Sequence, residues 1–212
     1  MPEKTERPTV EARPGGPYVV KGLEHLKNAK GEDIPTKPSI ALCRCGRSST
    51  KPFCDGTHKT FDFSTGKVTD GTANKRDEYR GKQVTVHDNR GICAHAGFCT
   101  DNLSAVFKLG TEPWIDPDGA VVEDVIAQVK RCPSGALSYS IEEAEKRDKD
   151  RGPVVFVAKN GPYAMQGGIE LLGETFGDGA SREHFTLCRC GGSKNKPFCD
   201  GTHWKVEFDK DE

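Results

Sequence analysis

Apolar side chains are scarce in this 212-residue chain: hydrophobic residues, counting Ala, Tyr and Cys, make up 34% of it and aromatics 8%. Mean hydropathy is −0.65. No stretch approaches the roughly 18 consecutive apolar residues of a membrane-spanning helix. Met1–Gly16 is rich in Pro, Glu and Arg without an apolar run, so it reads as neither a signal peptide nor a membrane anchor, and residues 1–15 are expected to be disordered. An excess of one charge is also lacking. Lys and Arg number 31 against 32 Asp and Glu, a net −1 that provides no global attraction to nucleic acid or anionic lipid. There is no nucleotide-binding glycine fingerprint and no nucleophile with a base placed beside it, which argues against an enzyme. His25, His87 and His184 stand outside any motif and are expected on the surface.

Gly and Pro are abundant, with 24 and 13 residues. A thin, loop-rich core of this kind needs staples other than side-chain packing. Metal sites can supply them, because ligand binding becomes folding free energy. The nine cysteines suit that role. An odd number fits a disulfide framework poorly, while short C-x-C spacings with a nearby His favour metal, and a reducing cytoplasm is the expected setting.

The cysteines stand in three groups of three. Cys43-Arg44-Cys45-Gly46, then Pro52-Phe53-Cys54-Asp55-Gly56-Thr57-His58, recurs as Cys188-Arg189-Cys190-Gly191, then Pro197-Phe198-Cys199-Asp200-Gly201-Thr202-His203. Each copy carries three thiolates and one imidazole, the ligand set of a zinc knuckle or a small iron–sulfur site. The repeat extends beyond the cysteines at a constant offset: Gly16-Pro17-Tyr18 matches Gly161-Pro162-Tyr163, and Phe63 matches Phe208. An ungapped match over roughly 48 positions marks one structural unit used twice. Tyr18–Lys21 and Val154–Ala158 read as opening strands, and Ile40–Leu42 and Phe185–Leu187 as apolar lead-ins to the cysteine loops. Between the repeats, Gln83–Asp88 and Ala136–Ser140 read as strands and Asp116–Gly119 as a turn. Val121–Arg131 reads as an amphipathic helix with Val121, Val122, Val125, Ile126 and Val129 on one stripe. The charge-dense Ile141–Arg151 reads as a solvated helix or a linker. The expected fold is α+β, rich in loops and strands: units at 16–65 and 154–210, a module at 78–141, and a charged linker at 142–153.

The pattern C-x-C-x2-Ser-x3-Pro-x-C-D-G-Thr-H resembles the CDGSH iron–sulfur family at every signature position of both copies. The resemblance implies a [2Fe-2S] cluster in each, with Cys43 and Cys45 on the inner iron and Cys54 and His58 on the outer one. Cys188, Cys190, Cys199 and His203 would do the same in the second copy. It also implies that the two units pack together as an intramolecular pseudo-dimer, compatible with a monomeric chain. The residues make independent sense. Gly46 and Gly56 allow unusual φ angles, Pro52 stiffens the return of the loop, and Asp55 and Asp200 can cap the turns that aim the histidines. Arg44, Arg189, Lys51 and Lys196 can offset a cluster whose formal charge is about −1, falling to about −2 on reduction. Imidazole in place of thiolate raises the reduction potential, and a proton-accepting His58 or His203 would make it pH-dependent.

The middle group, Cys93-Ala94-His95-Ala96-Gly97-Phe98-Cys99 with Cys132-Pro133, resembles a divergent monocluster ferredoxin. The bacterial run C-x2-C-x2-C would place a cysteine where Ala96 stands. Three thiolates suggest a [3Fe-4S] cluster. His95 as a fourth ligand would give [4Fe-4S], and it reads equally as a donor to a cluster sulfur. Asp101, Glu112, Asp116, Asp118, Glu123 and Asp124, with only Lys108 among them, would steer a basic redox partner. The leading reading is electron transfer with a reductase or acceptor. The alternative is cluster storage, delivery to an apo-acceptor, or redox and pH sensing.

Overall fold

The computed structural model describes residues 7–67 and 76–209. Residues 1–6 of the expected disordered segment and residue 210 of the second unit lie outside them. The first repeat supplies β1 (Thr9–Ala12), β2 (Tyr18–Lys21), β3 (Leu26–Lys27), β4 (Asp33–Ile34) and β5 (Ser39–Leu42). The module follows with β6 (Arg76–Arg80), β7 (Thr85–Asn89), α1 (Phe98–Asn102), α2 (Val122–Val129), β8 (Leu137–Ile141) and β9 (Ala144–Lys146). The second repeat adds β10 (Val154–Val157), β11 (Tyr163–Gln166), β12 (Glu170–Leu172), β13 (Phe185–Leu187) and α3 (Thr202–Lys205). Strands and loops dominate an α+β architecture.

The repeats exchange strands. One sheet runs β12-β1-β2-β5 and the other β13-β11-β10-β3-β4. β1 pairs in parallel with β12, Val10 opposite Leu171, and β10 pairs in parallel with β3, Val155 opposite Leu26. Each sheet is therefore completed by the other repeat. Alternation turns Val10, Tyr18, Val20 and Leu42 inward from the first repeat, and Val155, Tyr163, Met165 and Leu187 from the second, into one shared core. The apolar face of a sheet must be buried against another element, and each repeat supplies that element to the other.

Strand β1 corrects the expectation of disorder over 1–15. Its sequence, Thr-Val-Glu-Ala, shows only one inward apolar residue, Val10, but the strand lies between β2 and β12 and is held by both ladders. The offset makes β1 the counterpart of β10, and β2 that of β11, so Tyr18–Lys21 and Val154–Ala158 are not equivalent strands. The duplication thus reaches upstream of Gly16.

The module has its own sheet, β6-β7-β8-β9, and its own core around Val86, Phe107, Ile115, Val125, Val129 and Tyr139. Strand β6, Arg-Asp-Glu-Tyr-Arg, lacks any apolar alternation and was not expected. Helix α2 is shorter than the 121–131 stripe. Val125 and Val129 are buried, whereas Val121 precedes the helix and is 62% exposed. Ile141–Arg151 is neither a helix nor a plain linker. It turns at Glu142 and Glu143, both at positive φ, into β9. Glu145 pairs across the sheet with Arg76 at 2.7 Å and along its own segment with Arg147 at 2.6 Å.

Candidate metal centres

Each outer cysteine loop grows from the end of a strand. After β5 the chain turns back so that Leu42 pairs with Phe53, Cys43 N donates to Pro52 O at 2.8 Å, and Cys54 N donates to Ala41 O at 2.8 Å. The second copy repeats this with Leu187 and Phe198, Cys188 N to Pro197 O at 2.8 Å and Cys199 N to Thr186 O at 3.1 Å. The loop must reverse between its second and third thiol, and Gly46 and Gly191 do so at φ 78°. Asp55 accepts from Ser49 N at 2.8 Å and Thr57 N at 2.9 Å, fixing the turn that carries His58. Hydrogen bonds from Thr57 and Ser49 hold its carboxyl well below the usual carboxylate range. Asp200 bonds Lys194 N and Thr202 N in the same way.

The donors converge in pairs. Cys43 and Cys45 Sγ lie 3.8 Å apart, and Cys54 Sγ lies 3.4 Å from His58 Nδ1. In the second copy the distances are 3.8 Å for Cys188 and Cys190, and 3.3 Å for Cys199 Sγ and His203 Nδ1. Two thiolates on one side and a thiolate with an imidazole on the other suit two bridged metal ions. All nine cysteines are free. Burial raises the Cys199 thiol, so without a cation it stays protonated, and a cation that binds it displaces the proton to solvent.

The expected charge-balancing cations are used for architecture. Arg189 is buried, donating from Nε to Gly161 O at 2.9 Å and from Nη2 to Ala158 O at 3.0 Å. Arg44 reaches Arg13 O at 3.2 Å. Lys51 and Arg189 converge on Asp209, at 3.1 and 2.9 Å, and Lys196 Nζ donates to Ser193 O at 2.6 Å.

The middle group is brought together from three places: Cys93 after β7, Cys99 within α1, and Cys132 after α2. All three line one cavity with His95 and Ala96. Burial pushes the Cys93 thiol up to about 12. His95 N donates to Cys93 Sγ at 3.4 Å, and Arg90 Nη1 lies 3.8 Å from the same sulfur. His95 itself adopts φ 50°. Its ring borders both this cavity and Gly201 of the second CDGSH-type loop, where an added Cβ would lie 2.9 Å from His95 Cδ2. Ala96 offers no ligand atom.

A family described as iron-binding zinc finger, CDGSH type, matches residues 15–59 and 160–204. The chain belongs to the CDGSH iron-binding family. Between its two CDGSH regions, residues 79–142 match a family described as a divergent 4Fe-4S mono-cluster domain. The chain is also similar to the uncharacterized protein YjdI of Escherichia coli K12, 41% identical over 61 residues that make up 29% of this chain and 80% of that protein. YjdI of Escherichia coli O157:H7 matches to the same extent. No solved structure matches. This is an iron–sulfur protein of two CDGSH loops around a mono-cluster module.

Several contacts of the CDGSH loops carry no motif signal. Tyr18 of the first repeat donates to Cys188 O at 2.9 Å and Pro197 O at 3.0 Å in the second. Tyr163 returns the bonds to Cys43 O at 2.9 Å and Pro52 O at 3.0 Å. The recurrence of Tyr at the repeat offset was the available clue. His87 and His184 are buried, correcting the surface expectation, while His25 is exposed. His87 bonds Ser140 at 2.9 Å from the middle of the module sheet. His184 Nδ1 meets Glu183 at 2.6 Å, and Arg151 Nε donates to that carboxylate at 2.7 Å, stitching the segment before β10 to the second repeat. Of the acidic residues, Asp116 pairs with Lys108 at 2.8 Å and Asp118 accepts from Lys82 N at 2.9 Å. Asp101, Glu112, Glu123 and Asp124 remain exposed.

Proposed function

We propose that this protein is a one-electron carrier, not an enzyme, holding two [2Fe-2S] clusters and one [3Fe-4S] or [4Fe-4S] cluster. Cys43, Cys45, Cys54 and His58 hold the first, Cys188, Cys190, Cys199 and His203 the second, and Cys93, Cys99 and Cys132 the third, with His95 at its edge. When bound, such clusters accept and release single electrons.

The observation that carries this reading is the contact between the three ligand loops. A Cβ added at Gly46 would lie 2.5 Å from Cys190 O, and one at Gly191 would lie 2.7 Å from Cys45 O. A Cβ at Gly201 would lie 2.9 Å from His95 Cβ. Backbone therefore meets backbone between the two CDGSH loops, and the middle loop abuts the second. The exchanged strands and reciprocal tyrosine bonds support an intramolecular pseudo-dimer, so a single chain is self-sufficient. Nine free thiols suit a reducing cytoplasm, and among the described residues no helix is long and apolar enough to cross a membrane. The exposed acidic residues of the module suit a basic reductase or acceptor.

Anaerobic purification with metal and sulfide quantified per chain tests the reading. About eight sulfides with seven or eight irons are expected, and an oxidised [3Fe-4S] centre would add an EPR signal near g of about 2. Stoichiometric zinc without sulfide would overturn it. A second reading, cluster delivery or sensing, is favoured by the partial exposure of Cys54 and His58. One-for-one transfer to an apo-acceptor supports delivery, and catalytic shuttling between reductase and acceptor supports electron transfer.

A further inference from the structure

The two CDGSH loops share ligands and backbone but not surroundings. In the first, Cys54 and His58 are partly exposed, and an added Cβ at Gly56 would meet nothing within 4 Å. In the second, Cys199 is 2% and His203 3% exposed, and the space beside the equivalent Gly201 is filled by His95 of the module. Two further departures from the repeat fall at this join. Lys59 of the first loop, exposed, is replaced by Trp204, whose Nε1 donates to His95 O at 3.0 Å and whose ring packs 5.2 Å from that of His203. Thr50 is replaced by Asn195, whose amide donates to Gly91 O at the foot of the middle cysteine loop.

We propose that the inserted module is a cap on the second CDGSH site, latched by Trp204 and Asn195. The first site, at Cys54 and His58, is then the more accessible of the two. The sites are identical in ligands and unequal in access. Loops that open less often expose their contents less often, so the capped site is the slow one in any exchange with solvent or partner. The assignment of clusters rests on the electron-carrier reading; the cap itself rests on contacts between the chain's own residues.

Two measurements on the full-length protein test this. In hydrogen exchange followed by mass spectrometry, amides of residues 199–204 are expected to exchange at least about tenfold more slowly than those of 54–59. On the cluster-loaded protein, an aminocarboxylate iron chelator is expected to bleach the [2Fe-2S] absorption in two phases. His58→Cys slows only the fast phase, because an anionic thiolate holds ferric iron more firmly than a neutral imidazole. The double variant Trp204→Lys with Asn195→Thr installs the first-loop residues at the join and should move the slow phase towards the fast one. Equal amide protection in the two loops, a single bleaching phase, or a slow phase indifferent to the double variant would overturn the cap. Should the protein carry no cluster, the electron-carrier reading fails, and the exchange comparison still decides the cap.

Discussion

Tyr18→Phe is the sharpest test of how the two CDGSH units depend on each other. Tyr18 is fully buried and its hydroxyl reaches Cys188 O and Pro197 O at 2.9 and 3.0 Å. Burial pushes the phenol well above its ordinary range, so it stays a neutral donor throughout the working pH range. Phe preserves the ring and its edge-on contact with Tyr163, centroids 6.1 Å apart, and removes only the donor. Pro197 O keeps the amide of Cys188 at 2.8 Å, while Cys188 O loses the hydroxyl donor. Leaving one buried carbonyl short of a partner costs about 1–3 kcal/mol. At roughly 2–4 °C per kcal/mol for a chain of this size, the melting temperature should fall by about 2–12 °C. Thermal unfolding followed by circular dichroism reads the magnitude. The location of the damage is more telling than its size. Tyr18 belongs to the first unit but holds the cysteine loop of the second, so its loss should speed hydrogen exchange at 188–199 and leave 43–54 nearly unchanged. Tyr163→Phe should do the converse through Cys43 O and Pro52 O. Loosening of each tyrosine's own unit, or a loss below about 0.5 kcal/mol, would refute the crossed dependence.

Gly46→Ala should be more damaging than Gly56→Ala. Both positions have positive φ, 78° and 87°, costing about 1–2 kcal/mol for any other residue, but only Gly46 would also drive a Cβ to 2.5 Å from Cys190 O. Denaturant midpoints of the two variants compare them, and equal losses would count against the close approach of the loops. Glu183 is raised by burial, but the Arg151 fork, the Gly167 amide and His184 outweigh that and hold it at about 2. A depressed carboxyl contributes stability that is present above roughly pH 4.3 and lost as the pH falls towards 2. The stability gap between the wild type and Glu183→Gln should therefore close over that window in acid titrations; a gap that persists at pH 2 would mean the ion pair is not its source. Chelation of all iron should lower the melting temperature, since each site closes a loop of its unit. An unchanged melting temperature would show that the strand exchange suffices without metal. His203→Cys should flatten the pH slope of the second site's reduction potential in redox titration, because a thiolate takes up no proton where an imidazole does, and an unchanged slope at that site would refute the coupling.

What the sequence revealed and what it concealed follow from where each constraint acts. The CDGSH loops were legible because their chemistry is local: ligands, Gly46 and the capping Asp55 lie within one short segment, and turn geometry leaves few residue choices at each place. Strands β2, β7, β8 and β10 were legible as short apolar-rich runs, and β5 and β13 only as apolar lead-ins to the cysteine loops. Strand β1 was not, because Thr9–Ala12 is held by partners on both sides rather than by its own pattern. Strand β6 was hidden for a similar reason, its five residues being four charged side chains around Tyr79. Strand β9 reads from sequence as helix or linker because its charges find partners elsewhere in the sheet, Glu145 with Arg76, and a sequence does not say across what its charges pair. The burial of His87 and His184 is hidden from local sequence because it depends on partners far along the chain, Ser140 for His87, and Asp148 and, through Glu183, Arg151 for His184. Trp204 departs from the repeat within the sequence itself, opposite Lys59. At a position where the repeat otherwise holds, Lys gives way to a Trp that is 56% exposed and whose Nε1 bonds His95 O.

That substitution bears on why one module sits between two copies. A duplicated unit exchanging strands with itself is nearly symmetric, and a single insertion cannot face both halves equally. Here the contacts described between the module and the repeats fall on the second: Asn89 donates to Asp178 O at 2.9 Å, Trp204 to His95 O, and Asn195 to Gly91 O. An added Cβ at Gly135 would lie 2.9 Å from His184 O, and one at Gly179 would meet Arg76. Once the module leans one way, selection on the two loops diverges. The covered loop must tolerate an apolar, backbone-level contact beside its histidine, and it carries Trp204 and Asn195. The uncovered loop must remain soluble around an exposed ligand pair, and it carries Lys59 and Thr50. The ligand residues stay the same because the metal chemistry is the same. The residues that differ are those that decide what each site can touch, so the asymmetry of the surface, rather than of the ligands, is where two equal sites acquire different work.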